Sequence, residues 1–171
     1  MALLKKAFKN LAYPVLIAII IAFGTIQFLF FKTKVPTMSM DPTIKVGDNI
    51  LVTRIYNLNN IKRGDILVFN SNELNERLIK RVIGLPEETV KIKDDGKVLI
   101  NDNELQEPYV KYPGGKSGIF KVPEGEYFFM GDNRENSYDG RYWRYGYISA
   151  KDIKGKAQFI IFPFNRVGLL K

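Results

Sequence analysis

The sequence predicts a mostly β protein, with a single N-terminal transmembrane helix followed by a domain of antiparallel strands. Two observations predict this fold class. The segment 11–31 carries no charged residue, and eight short runs rich in β-branched and aromatic residues follow between Asn49 and Phe162. Gly, Pro, Asn or Asp clusters separate these runs, which is typical of strands joined by turns.

The apolar segment 11–31 is long enough to cross a bilayer. Its 21 residues would rise about 30 Å as a helix, which matches the hydrocarbon core. A cleaved signal peptide has a shorter apolar region closed by small residues, whereas this segment ends in Phe-Leu-Phe-Phe. A buried core helix rarely stays apolar on every face over this length. We therefore expect a membrane anchor.

Charges on either side of the segment predict its orientation. Three lysines precede it and two follow it: Lys5, Lys6, Lys9, Lys32 and Lys34. By the positive-inside rule this favours a cytoplasmic segment 1–10 and an extracytoplasmic domain 32–171. That domain has 23 basic and 18 acidic residues once the first three lysines are removed, a net +5. Such an excess suits contact with anionic membrane lipid.

The composition excludes several kinds of chemistry. The chain contains 26 Lys and Arg, 18 Asp and Glu, and neither His nor Cys. It therefore cannot form a Ser-His-Asp triad, a thiol nucleophile, a His or thiolate zinc site, or a disulfide. A hydrolase of this composition would need Lys, Asp, Glu or Tyr as its base. No zinc-ligand spacing, helix-turn-helix or aromatic-interleaved basic run is present, so we expect no nucleic-acid partner, metal or cofactor.

The eight runs predict the strands of the domain, and one region differs in composition. The stretch 87–124 is more polar and richer in turn residues than its flanks, which predicts a small β subdomain inserted into the main sheet. Asp94-Asp95-Gly96 between two runs is a hairpin signal. The predicted strands are 49–55, 65–69, 77–83, 89–93, 97–101, 118–122, 126–130 and 156–162.

The first cluster with possible chemistry is Val-Pro-Thr-Met-Ser-Met-Asp-Pro-Thr at 35–43, directly after the apolar segment. Pro42 removes an amide and favours extended backbone before it. Ser39 lies in this proline-punctuated loop. A serine in such a loop is usually a turn residue, so alone it is only a candidate nucleophile.

The second cluster is Arg-Leu-Ile-Lys-Arg-Val-Ile-Gly at 77–84. In a strand, Leu78, Lys80 and Val82 share one face, and Arg81 points to the other. Lys80 either discourages aggregation at an edge strand or is desolvated by apolar neighbours. Because burial disfavours the ammonium, it would lower the lysine pKa from about 10.4 and let the amine accept a proton.

The third cluster, 131–141, follows an apolar strand and is dense in hydrogen-bonding groups. It either forms a solvated loop or a salt-bridged scaffold that fixes a neighbouring site. The residues that would build this scaffold are Asp132, Arg134, Ser137, Asp139 and Arg141.

These clusters, in this order after an N-terminal anchor, resemble bacterial type I signal peptidases, the serine-lysine family that removes signal peptides from exported proteins. The resemblance extends almost to the C-terminus and includes Gly-Asp-Asn-Ile-Leu-Val at 47–52 and Lys-Gly-Lys-Ala at 154–157. It implies a twisted antiparallel β-sheet peptidase domain, anchored in the bacterial cytoplasmic (inner) membrane, that cleaves preproteins after small residues.

The resemblance also implies roles for individual residues. Ser39 matches the nucleophile and Lys80 the general base. The Thr37 hydroxyl would help the Ser39 amide form the oxyanion hole, and the Ser137 hydroxyl would orient the lysine amine. Asp139 and Arg141 match a supporting pair. The positions that line pockets for small substrate residues are Val35, Pro36, Met40 and Ile79.

The chain departs from the family pattern at three places. Met38 stands where glycine is frequent, Glu87 and Glu88 replace a usual Gly-Asp, and Gly140 replaces a frequent serine. The first bears on the geometry of the loop before Ser39 and the second on the turn after Pro86, and none of the three changes Ser39 or Lys80.

Two other functions remain open from the sequence. One is a dedicated sibling serine-lysine peptidase that matures a single conjugation or pilus protein, since its dyad would be the same. The other is a catalytically inactive anchored β domain that binds lipid or a partner protein. The joint presence of Ser39, Lys80 and Ser137 favours the enzymes over the binding domain.

Overall fold

The computed structural model describes residues 2–170. Met1 of the predicted segment 1–10 and Lys171 of the predicted domain 32–171 lie outside the described residues. The chain begins with one α-helix, α1 (Ala2–Leu29), and continues as short strands. These are β1 (Phe30–Lys34), β2 (Asn49–Arg54), β3 (Ile66–Ser71), β4 (Glu76–Gly84), β5 (Thr89–Ile92), β6 (Val98–Ile100), β7 (Asn103–Glu104), β8 (Gly118–Lys121), β9 (Glu126–Met130), β10 (Ile148–Ser149), β11 (Ile153–Phe162) and β12 (Gly168–Leu169).

Helix α1 contains an apolar span, Ala12–Leu29, that is long enough to cross a membrane and is not buried against the rest of the protein. The helix ends two residues before the predicted end of the apolar segment. Phe30 and Phe31 instead begin β1, because their backbone groups pair antiparallel with β2, with Phe30 opposite Thr53. Strand pairing therefore ends the helix where hydropathy alone does not.

The strands form two antiparallel sheets, which confirms the mostly β fold class. The larger sheet has the order β1-β2-β11-β3-β4-β9-β10, and β12 pairs with β11. The smaller sheet has the order β7-β6-β5-β8 and lies within the stretch 87–124. Each predicted run contains a strand, whereas β1, β7, β10 and β12 were not predicted.

The centre of the larger sheet is buried on both faces. Along β3, Ile66 and Val68 contact one apolar cluster, and Leu67 and Phe69 contact another. This follows from the alternation of side chains along a strand, which sends neighbours to opposite faces. A third cluster lies between the two sheets, around Phe128. Polar side chains on the central strands must therefore find partners inside the protein.

Candidate active site

Ser39 lies in the loop between β1 and β2, which the structure ties down at several points. The loop is closed by hydrogen bonds between Val35 and Asp48 (2.9 Å) and between Gly47 and Val35 (2.9 Å). The Ser39 carbonyl accepts a hydrogen bond from the Asn133 amide at 3.1 Å, so the loop is also joined to the third sequence cluster. The side chain of Ser39 is only 6% exposed. This serine is held inside a structured loop.

Lys80 reaches Ser39 from the neighbouring central strand. On β4, Lys80 pairs with Leu67 of β3 and is 4% exposed. Its Nζ lies 2.5 Å from the Ser39 Oγ, although 41 residues separate the two in sequence. The structure therefore brings the predicted nucleophile and the predicted base into direct contact.

Burial changes the acidity of this lysine. Loss of water around the ammonium lowers the pKa of Lys80 from 10.5 to about 8. The carboxylates of Asp139 and Asp132 oppose this by favouring the charged form, and Arg141 adds to the lowering. At this pKa an appreciable fraction of the amine is neutral near physiological pH. Such an amine can accept a proton from the hydroxyl beside it.

The two hydroxyl groups predicted to assist the dyad, those of Thr37 and Ser137, have different environments. The Thr37 Oγ1 is 3.3 Å from the Ser39 Oγ, and Thr37 is exposed at the rim of the loop. Ser137 is buried, and its Oγ has no hydrogen-bond partner among residues 2–170. A Cβ placed on Gly131 would clash with both the Ser137 Oγ and the Ser39 carbonyl. Ser137 is thus close to the site, and its orienting role stays a prediction.

Three buried arginine–carboxylate pairs surround the dyad. Asp139 accepts two hydrogen bonds from Arg141 (2.8 and 2.9 Å) and one from the Gly131 amide (2.9 Å). Arg134 binds both oxygens of Glu107. Bidentate pairs of this kind are stronger and more directional than single hydrogen bonds, so they fix the loop 131–141 rigidly.

The third pair links the strand of Lys80 to the loop of Ser39. Arg81 donates to both oxygens of Asp132, at 2.8 and 2.7 Å, and its guanidinium lies 3.9 Å above the Tyr109 ring centroid. Asp132 also accepts the Thr43 hydroxyl at 2.5 Å. Arg81 follows Lys80 in β4, and alternation along a strand sends their side chains to opposite faces. Both of these basic side chains are buried, whereas Arg77 at the start of the strand is exposed.

The predicted pocket residues are only partly brought together. Val35, Met40 and Ile79 belong to one buried apolar cluster, whereas Pro36 is exposed. Met40 and Val35 flank Ser39 in the loop, and Ile79 precedes Lys80 in β4. Three of the four predicted pocket residues therefore belong to one apolar cluster, and two of them, Met40 and Ile79, adjoin the dyad in sequence.

Comparison with known proteins agrees with this geometry. The family model "Signal peptidase, peptidase S26" matches residues 8–162. The chain belongs to this family. The chain is 41% identical over 164 residues to a signal peptidase I of Leptolyngbya laminosa, covering 90% of this chain and 79% of the relative. It is 39% identical over 165 residues to one from Bacillus licheniformis, covering 90% and 88%.

A solved structure agrees as well. A signal peptidase I from Enterococcus faecalis V583 matches with a TM-score of 0.51 at 33% identity, covering 57% of this chain and 96% of that chain. The comparisons establish a signal peptidase enzyme. They do not favour the dedicated sibling peptidase that the sequence left open.

The three departures from the predicted pattern differ in their local surroundings. Glu87 has φ +66°, a left-handed conformation that glycine adopts more readily than glutamate. Glu88 accepts a hydrogen bond from the Leu85 amide at 2.8 Å. A Cβ on Gly140 would lie 2.7 Å from the Phe128 ring, so this chain has no room there for a serine side chain. Met38 is exposed.

Sequence reasoning missed three residues of the signal peptidase site. Arg81, Thr43 and Glu107 each contact a residue of the loop 131–141. The sequence does contain a signal for Arg81. It follows Lys80 in a central strand whose neighbouring residues are apolar, so one of the two basic side chains must be buried on each face of the strand. Glu107 lies in a turn-rich stretch, and no local pattern distinguishes it from a solvated glutamate.

Proposed function

We propose that the protein is a membrane-bound type I signal peptidase that cleaves N-terminal signal peptides from exported preproteins after small residues. In this proposal Ser39 is the nucleophile and Lys80 is the general base. The observation that carries the proposal is the 2.5 Å contact between the Lys80 Nζ and the Ser39 Oγ in a buried setting. A Ser-Lys pair can catalyse peptide-bond hydrolysis without His or Cys.

Acylation begins when the neutral Lys80 amine takes the Ser39 proton as the Oγ attacks the scissile carbonyl. The tetrahedral intermediate then collapses, and the ammonium of Lys80 returns the proton to the leaving amine. The products of this step are the mature protein with a free N-terminus and an ester between the signal peptide and Ser39. Lys80 next takes a proton from water as the water oxygen attacks the ester. The bond to the Ser39 Oγ then breaks, the Lys80 ammonium returns its proton to that Oγ, and the signal peptide leaves with a free carboxylate.

The negative charge of each tetrahedral intermediate requires donors fixed in advance. The Ser39 amide and the Thr37 hydroxyl are the candidates, since Thr37 lies at the same edge of the loop as the Ser39 Oγ. Donors held in place before the reaction stabilise the oxyanion without reorganisation. The hydrogen bond from Asn133 to the Ser39 carbonyl supports this role because it fixes the peptide plane on the other side of the residue.

The substrate would bind as an extended strand. The residues Arg81, Val82 and Gly84 of β4 pair with β9, whereas the earlier part of β4 pairs only with β3 among the described strands. Among the described strands, the side of β4 that faces away from β3 therefore has free backbone groups in the residues before Arg81. A substrate segment could pair with them as an added strand beside Lys80. Small side chains of that strand would lie beside the apolar cluster that contains Val35, Met40 and Ile79.

Membrane anchoring would place the dyad where signal peptides emerge. Ser39 follows the last residue of α1, Leu29, by ten residues. With α1 in the bilayer and the lysine-rich N-terminus in the cytoplasm, the active site would face the extracytoplasmic side. A cleavage site just beyond the hydrophobic core of a signal peptide lies at the same level.

Cleavage by purified protein in detergent tests this function. With two unrelated preproteins, we expect cleavage after a small residue, and we expect Ser39→Ala and Lys80→Met each to lower kcat by a factor on the order of 10⁴ or more. The matched controls are Ser117→Ala and the exposed Lys91→Met, which should keep full activity. Near-wild-type activity of folded Lys80→Met would overturn the mechanism.

A further inference from the structure

A cavity lies where the helix meets the domain, away from Ser39. It has a volume of about 480 Å³ and is bounded by the end of β2, the start of β3 and the middle of β11. Its walls include Arg54, Tyr56, Lys62, Asp65 and Lys156. The signal peptidase chemistry proposed above uses none of these residues.

The cavity carries an excess of positive charge. Its ionic side chains are three bases and one carboxylate, Asp65, and that carboxylate is already engaged. It binds the Lys156 Nζ at 2.5 Å and accepts the Lys62 backbone amide at 3.0 Å. The side chains of Arg54 and Lys62 form no ion pair within residues 2–170. The Arg54 guanidinium lies 5.0 Å from the centroid of the Phe31 ring, a contact that does not neutralise its charge. Both cations therefore remain without a carboxylate partner among these residues and can bind an anion.

The cavity is attached to the last turn of the helix. The Tyr56 hydroxyl donates to the Phe28 carbonyl at 2.7 Å, and the two rings stack with centroids 5.1 Å apart. Thr53, another wall residue, pairs with Phe30 directly after the helix. The cavity is thus fixed at one level along α1.

That level corresponds to the phosphates of a bilayer. The 18 residues of Ala12–Leu29 rise about 27 Å, close to the thickness of the hydrocarbon core. If they span the core, Phe28 lies at its boundary, and the groups next to it lie in the headgroup layer. Tyrosine is enriched at this boundary because its ring is apolar and its hydroxyl is wet.

We infer that this cavity binds the phosphate group of an anionic phospholipid headgroup, with Arg54 and Lys62 as its cationic ligands. The inference rests on the membrane anchoring in the proposed function. Inorganic phosphate shares the same chemistry. The lipid is the occupant favoured by the structure, because the cavity adjoins the end of α1 and its tyrosine. A lipid bound there would fix the height and tilt of the domain above the membrane.

Native mass spectrometry of the full chain in detergent tests the site. Ser39→Ala protein is used throughout, so that lipid binding is scored without cleavage and independently of the catalytic proposal. We expect retention of phosphatidylglycerol in preference to phosphatidylcholine. Arg54→Gln with Lys62→Gln should weaken phosphatidylglycerol binding by about tenfold or more. The control pair, Lys91→Gln with Lys121→Gln, removes the same charge from exposed positions on the smaller sheet and should bind like the parent.

Three outcomes would overturn the inference. Equal loss of phosphatidylglycerol in both variant pairs would mean that general electrostatic attraction accounts for binding. No loss in either pair would mean that Arg54 and Lys62 are not ligands of the lipid. Displacement of the lipid by millimolar inorganic phosphate, down to the level of the Arg54→Gln, Lys62→Gln variant, would assign the site to free phosphate.

Discussion

Asp132 holds Arg81 through both of its carboxylate oxygens, at 2.8 and 2.7 Å, and the pair is almost completely buried. Arg81 is the neighbour of Lys80 in β4, and Asp132 also accepts the hydroxyl of Thr43 from the loop that carries Ser39. One carboxylate therefore connects the strand of the base with the loop of the nucleophile. The distance between Lys80 and Ser39 therefore depends on this connection as well as on the apolar core.

Replacement of Asp132 by asparagine should weaken both stability and catalysis. The neutral amide would leave the Arg81 guanidinium buried without a counter-charge, which typically costs about 3–5 kcal/mol. The variant Asp132→Asn should lose free energy of unfolding by this amount and should also lose kcat, because the dyad is less well aligned. Denaturant unfolding in detergent, followed by the fluorescence of the chain's one tryptophan, Trp143, measures the first effect.

The half-buried pair of Arg63 and Glu88 provides a control for that experiment. Its side chains are 24% and 19% exposed, so water compensates a lost partner better than in the buried pair. Glu88→Gln should cost only about 1 kcal/mol. Equal losses for the two variants would show that Asp132 has no special structural role.

Thr37 should contribute to the rate of the chemical step. Its hydroxyl is 3.3 Å from the Ser39 Oγ, so Thr37→Val keeps the shape of the side chain and removes one polar group from the site. Loss of an oxyanion donor typically lowers kcat by about 100- to 1,000-fold, and KM should change little. Thr37→Ser should restore most of the rate. A valine variant with the wild-type kcat, or a serine variant as slow as valine, would refute the role.

Lys80 should make the folded protein less stable at neutral pH. Its pKa is about 8 in the folded protein and 10.5 unfolded, so below pH 8 both states are protonated and the folded state contains a desolvated ammonium. This corresponds to about 3 kcal/mol. Between pH 8 and 10.5 the unfolded chain binds more protons, so stability rises with pH across that window.

The variant Lys80→Met removes this desolvation cost. It should exceed the wild type in free energy of unfolding by about 3 kcal/mol at pH 7, and the difference should shrink as the pH approaches 10.5. Unfolding curves of the two proteins at several pH values measure it. A lower stability of Lys80→Met at pH 7, or a difference that does not change with pH, would contradict the assigned pKa.

Hydropathy and residue runs predicted the strands well where a run was long enough to show a pattern. They did not predict β7, β10 and β12, because two residues show no alternation. They assigned Phe30 and Phe31 to the membrane segment because aromatic residues suit both a bilayer and a strand, and only the pairing with β2 decides between them.

For the site, the sequence predicted the candidate catalytic residues. Most of the hydrogen bonds and ion pairs around them are seen only in the structure. Arg81 and Asp132 are 51 residues apart, and Arg134 and Glu107 are 27 apart. Such pairings depend on how strands from distant parts of the chain align, which no local pattern contains. The burial of the Ser137 hydroxyl without a hydrogen bond to any described residue is likewise seen only in the structure.

The most direct measurement of the central claim is the pH dependence of kcat/KM for preprotein cleavage, which reports the ionisation of the free enzyme. Because the base must be neutral, the rate should rise with pH and level off, with a midpoint near the Lys80 pKa of about 8. A midpoint near 10.5, or a rate independent of pH across this range, would contradict Lys80 as the general base.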